Sequence, residues 1–81
     1  MLYLIDKPHA DVGLRTARAA DDPVVVLIQD GVLLEPAIEA EMYAVERDVA
    51  IRGVELPEGI EPVEYDRLVE LMFQHEVKTF V

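Results

Sequence analysis

The sequence predicts a three-layer α/β protein built on a mostly parallel sheet of about five short strands. Three observations lead there. Val24, Val25, Val26, Leu27 and Ile28 form an unbroken aliphatic run, mostly β-branched and without polar alternation, which suits a strand covered on both faces. Short apolar runs of this kind alternate with helix-patterned stretches along the whole chain. The breaks between them carry turn or cap chemistry, notably Asp21-Asp22-Pro23, Gln29-Asp30-Gly31 and Gly53.

Taken in order, residues 1–5 read as a buried strand that ends at Asp6-Lys7-Pro8-His9, a loop. Asp11 is placed to cap a helix whose apolar positions Ala10, Leu14 and Ala17 recur at helical spacing. Gly13 inside that helix costs about 1 kcal/mol relative to alanine, so the helix needs packing against the sheet. Asp21-Asp22-Pro23 ends it before the central strand. Gln29-Asp30-Gly31 then makes a turn at the carboxyl end of that strand, the edge where open α/β sheets place their sites.

Glu35-Pro36 reads as a helix start with proline at the first helical position, and residues 37–41 as one or two helical turns. Residues 42–45 read as a third strand, and residues 46–52 as a helix closed by Gly53. Pro57, Gly59 and Pro62 punctuate a loop containing a short strand over residues 60–63, which its proline assigns to an edge. Residues 64–75 are the best helix in the chain. Its apolar positions cover far more than one stripe, which predicts burial on two sides, the second by another element or another subunit. Residues 78–81 return as a final strand.

Composition narrows the function classes. A chain of 81 residues is expected to be one domain, residues 1–81, near the size at which a single core only just suffices, so an oligomer or partner is expected. Hydrophobic residues make up 52%, yet 17 acidic against 7 basic residues give a formal net charge of -10. Mean hydropathy is +0.18. Such a chain segregates its charge and leaves apolar surface elsewhere, which reads as an interaction face. The acidity disfavours direct contact with nucleic acid or an anionic membrane; solvation in a salty cytoplasm is the other reading of it. With no cysteine, the chain has no disulfide, no thiolate metal site and no cysteine nucleophile. No signal-peptide pattern opens the sequence and no apolar run is long enough to span a bilayer, so a soluble cytoplasmic protein is the expectation.

Candidate chemistry is sparse. His9 follows the first strand and Asp30 the second, so neighbouring parallel strands would bring them together as an acid/base pair; loop histidine and turn aspartate is the plainer reading of both. The candidate contact or ligand loop is therefore His9, Gln29, Asp30 and Gly31. One glycine without a GxGxxG or GxxxxGK pattern is a weak anion cradle. His75, at the end of the last helix, suits a cap or an interface contact, and two distant histidines make a poor metal site. Glu35, Glu39, Glu41 and Glu46 read as a solvated acidic face, since their spacing resembles no calcium loop. No cofactor and no metal are expected. The candidate interface is Tyr65, Leu68, Val69, Leu71, Met72, Phe73 and His75.

Residues 26–32 (VLIQDGV), 42–53 (MYAVERDVAIRG) and 63–71 (VEYDRLVEL), in this order ahead of a short closing strand, resemble the DsrH/TusB family of sulfur-relay subunits. The resemblance implies a DsrE-like fold and membership of a heteromeric sulfur carrier built from sister subunits of the same fold. It also implies service to tRNA wobble-uridine thiolation in one branch and to dissimilatory sulfur oxidation in another. Some members carry a cysteine in the first helix, a place corresponding to residues 13–15 here, and relatives usually end their closing strand with tryptophan where this chain has Phe80-Val81. Without a thiolate to hold a persulfide, the leading expectation is a non-catalytic subunit of a TusBCD- or DsrEFH-like complex. The alternatives are a stand-alone homo-oligomer that binds a small ligand at the carboxyl edge of its sheet, and an enzyme using His9 and Asp30.

Overall fold

The structure, a computed structural model, describes residues 1–81. Five strands form one parallel sheet: β1 (Leu2–Ile5), β2 (Val24–Leu27), β3 (Glu41–Val45), β4 (Ile60–Val63) and β5 (Val77–Phe80). Their spatial order is β4-β3-β2-β1-β5, and every pairing is parallel. The aliphatic run Val24–Leu27 is thus the central strand, buried at every position. Three α-helices connect the strands: α1 (Ala10–Arg18), α2 (Glu46–Arg52) and α3 (Tyr65–Gln74). Short 3-10 turns follow β1 at Lys7–His9 and β2 at Gln29–Leu33.

Strand side chains alternate between faces, and the core divides accordingly. Tyr3, Ile5, Val25, Leu27, Met42 and Ala44 face one layer, where Ala10 and Ala17 of α1 and Val32 pack, with Val49 of α2 partly buried beside them. Leu2, Val24, Val26, Tyr43, Val45 and Val63 face the other, closed by Leu68 and Leu71 of α3. The chain crosses from edge strand β4 over this second face to reach edge strand β5, so α3 alone covers it.

Gly13 has a packing reason that the sequence hid. A Cβ there would lie 3.0 Å from the Phe80 ring and 3.1 Å from Ile5, so the absent side chain lets α1 settle closely on β1 and β5. Phe80 in turn stacks on Tyr3 with ring centroids 6.2 Å apart.

Four expectations need correction. Residues 35–40 form no helix, although Pro36 suits a helix start. The Gln29–Leu33 turn lies at the carboxyl edge while parallel β3 begins at the amino edge, so the intervening residues must retrace the height of the sheet. Seven residues of helix span about 10 Å, whereas extended chain covers about 23 Å, and the strand to be retraced is about 13 Å long. The extended path also lays Leu34, Ile38 and Ala40 on the first core. Asp11 stands in the first turn of α1 and does not cap it; His9 occupies that position without a side-chain bond. Asp6 is the capping acid, its Oδ1 accepting the Lys7 N–H at 2.6 Å and starting the 3-10 turn. Lastly, of the interface candidates on α3, Leu68 and Leu71 pack inside against the sheet and are core residues, whereas Tyr65, Val69, Met72 and Phe73 are exposed. The closing strand also begins one residue earlier than expected, at Val77.

Candidate functional site

The carboxyl edge of the sheet is where the loops after β1 and β2 and the start of α2 converge. Ile28 leaves β2 in extended conformation, and Gln29 then adopts a left-handed backbone, φ 48°. A non-glycine residue in that region is held there by its surroundings. The restraint comes from α2. Asp48 Oδ2 accepts the Gln29 N–H at 2.8 Å, and Arg52 Nε donates to Asp30 Oδ1 at 2.9 Å. Arg52 Nη1 also reaches the Asp48 carbonyl at 3.3 Å and lies 3.6 Å from its carboxylate. Two acids and one arginine from two elements therefore clamp the loop.

Gly31 completes the clamp sterically. A Cβ on this residue would collide with the Ile5 carbonyl oxygen, which accepts the Ile28 N–H at 3.0 Å. Only a glycine lets the second loop pass this close to the end of β1. The residues at this edge that sequence reasoning missed are Asp48 and Arg52. Their signal was present as an i,i+4 acid–base pair on a helix, but nothing in the spacing tied that pair to a loop 19 to 22 residues earlier.

The structure does not assemble His9 with Asp30. Asp30 is engaged by Arg52, and His9 is an exposed residue at the entry to α1. Gln29, Asp30 and Gly31 do form one loop, and on its α3 side lies a groove of about 260 Å³ floored by Leu4, Ile28, Val45, Tyr65, Leu68 and Met72. Gln29 and Asp48 form its polar end. A second, wholly apolar concavity of about 320 Å³ lies on the same side of α3, further toward its carboxyl end, lined by Val69, Met72, Phe73 and Val77, so that Met72 belongs to both.

His75 is separated from this surface. It lies at the opposite, amino edge of the sheet with Asp21, Asp22, Glu39 and Glu41 around an open acidic basin of about 640 Å³. No three His, Asp or Glu side chains in the chain converge as metal ligands. Tyr43 is buried on the α3 side of β3. Burial raises its pKa above the ordinary value of 10.0, the nearby Glu41 adds to the rise, and Arg67 of α3 opposes it.

These features define an α/β protein with a five-stranded parallel sheet, a clamped loop at the carboxyl edge, and an uncovered apolar helix face beside it. A family model described as DsrH like protein matches residues 7–78, and the chain belongs to this DsrH-like family. It is also similar to a solved structure, the solution NMR structure of protein Tm0979 from Thermotoga maritima. The two share 27% sequence identity over 94% of this chain and 95% of the other, with a TM-score of 0.64. No curated protein matches the chain. No helix is long and apolar enough to cross a membrane.

Proposed function

We propose that this chain is a thiol-free subunit of a TusBCD- or DsrEFH-like sulfur-relay complex, supporting sulfur transfer toward 2-thiolation of the tRNA wobble uridine. The observation that carries the proposal is a DsrH-like chain that contains no cysteine. Sulfur relay proceeds through a thiolate that takes up and hands on a persulfide. A chain without one serves the relay by holding a thiol-bearing sister subunit in place. At residues 13–15, where some relatives carry their cysteine, this chain has a buried glycine packed against Ile5 and Phe80, then Leu14 and an exposed Arg15. That part of α1 is given over to packing against the sheet.

Two further features support the assignment. The α3 face leaves Tyr65 and Phe73 64% and 88% exposed, an unusual state for large aromatics in a small chain that works alone. The formal charge of -10 disfavours binding tRNA directly, so contact with the acceptor RNA falls to partners. The complex acts in the cytoplasm, and residues 1–81 serve in it as one domain without a cofactor of their own.

Nucleoside analysis of bulk tRNA from native cells tests the function. Deleting the gene should lower 2-thiouridine derivatives at the wobble position, and the intact chain should restore them. Unchanged thiolation in the deletion strain would remove the tRNA assignment and favour the homo-oligomeric ligand-binding alternative, centred on the groove beside Gln29.

A further inference from the structure

The exposed face of α3 carries information about the chemistry of what covers it, an inference that rests on the reading of this chain as a subunit. At about 100° per residue, Met72, Tyr65, Val69 and Phe73 occupy one continuous arc of roughly 100° beside buried Leu68 and Leu71. Two concavities follow one another along this arc, the first beside Tyr65 and the second beside Val69 and Phe73, with Met72 common to both. An apolar ridge with hollows beside it is relief that another helix packs against, its own side chains entering the hollows. The ridge offers on the order of 400 Å² of apolar surface, about half of one partner's share of a standard specific interface. A helix that covered the ridge and both hollows would bury more than the ridge alone.

The charge beside the ridge distinguishes among occupants. Next to Phe73 around the helix stand Asp66 and Glu70, both exposed. The one cation on α3, Arg67, lies beyond them, 3.7 Å from Glu70. Asp48, at the polar end of the groove, is already held by Arg52 and the Gln29 N–H, so Asp66 and Glu70 are the carboxylates at issue. Two copies of this chain meeting through α3 would bring these carboxylates together within two molecules that each carry a formal charge of -10. A partner with cations at the same places would neutralise them and be steered toward them.

We propose that the α3 ridge seats an amphipathic helix of a different chain, one whose apolar side chains are bordered by lysine or arginine. The test uses the isotopically labelled chain and two synthetic helical peptides with the same Leu/Phe ridge, one bordered by lysine and one by glutamate. Chemical-shift perturbation locates and quantifies binding. The lysine-bordered peptide should shift the amides of Leu4, Ile28, Val77 and residues 65–73. Its affinity should exceed that of the glutamate-bordered peptide by about tenfold or more at about 50 mM salt, and that advantage should shrink at about 500 mM. Glu70→Lys should cut the advantage several-fold. Phe73→Asp should abolish binding of both peptides while the circular dichroism spectrum stays unchanged.

Equal affinities for the two peptides, or shifts confined to another face, would overturn the proposal. So would a peptide-free chain that sediments as a dimer through α3, since a second copy would then be the occupant. The tRNA analysis reads a separate outcome. Peptide binding as described with unchanged thiolation defeats the relay reading alone, whereas lost thiolation with misplaced peptide shifts defeats this inference alone.

Discussion

Replacing Gly31 with alanine adds one methyl group at the tightest point of the carboxyl edge. Because its φ is not positive, the effect is steric and not a matter of backbone preference. The new Cβ would collide with the Ile5 carbonyl oxygen and lie 3.2 Å from the Asp6 Cα, and neither is the flexible end of a side chain. Relief requires the Gln29–Leu33 turn to lift away from β1. That motion strains the Ile28 N–H bond to Ile5, 3.0 Å, and the turn bond from the Gly31 N–H to the Ile28 carbonyl, 2.8 Å. Overpacking of this kind costs about 1–3 kcal/mol and a weakened hydrogen bond about 1 kcal/mol. Stiffening the unfolded chain returns about 0.4–1 kcal/mol. The net expectation is a loss of about 2–3 kcal/mol, a large part of the roughly 4–12 kcal/mol expected for a chain of this length. Urea unfolding followed by far-ultraviolet circular dichroism reads it directly. With a slope near 1 kcal/mol/M the midpoint should fall by about 2–3 M. Gly53→Ala is the comparison: its Cβ would meet nothing, and only the left-handed φ of 62° costs energy, about 1 kcal/mol. A Gly31→Ala midpoint within about 0.3 M of the parent would refute the steric reasoning.

Other outcomes follow from the same geometry. Phe73→Asp should leave the free energy of unfolding within about 0.5 kcal/mol of the parent, since Phe73 is 88% exposed. Leu71→Asp should cost about 3 kcal/mol or more by burying a charge, because Leu71 is 1% exposed; the same unfolding assay separates the two. Arg52→Ala should cost about 1 kcal/mol and speed amide hydrogen exchange at Gln29 and Asp30, whose clamp it removes. The raised pKa of Tyr43 means that the folded state holds its phenolic proton more tightly than the unfolded chain. Its contribution is therefore complete below about pH 10 and is lost as pH rises through the higher folded value. Urea midpoints between about pH 8 and 11.5 should fall more steeply for the parent than for Tyr43→Phe.

Much of the fold was legible because period and punctuation agreed. The aliphatic run Val24–Leu27, mostly β-branched and bounded by turn residues, suited a fully covered strand, and Glu46–Arg52 with Gly53 at left-handed φ matched its cap signal to the residue. Pro62 correctly assigned β4 to an edge. The helix expected at residues 37–41 failed because local chemistry cannot see that parallel topology forces the chain to travel the height of the sheet. At the site, Gln29, Asp30 and Gly31 were identifiable as a loop at the carboxyl edge, but Asp48 and Arg52 were not, since their role depends on how α2 lies against that loop. His9 and Asp30 failed to pair for a related reason: adjacent strands bring backbones together, while Arg52 decides where the Asp30 carboxylate points. The breadth of the apolar arc on α3 was readable from spacing alone. Which part of it the sheet would cover was not, and the exposed remainder is the strongest structural support for a partner.

The central claim is that a chain without a thiol works by holding one that has it. Purification of a tagged copy from native cells, with the assembly weighed by light scattering and every co-purifying chain identified by mass spectrometry, tests it most directly. The expected result is a hetero-oligomer containing at least one sister DsrE-like chain with a reactive cysteine. A monomer, or an oligomer of this chain alone, would contradict it.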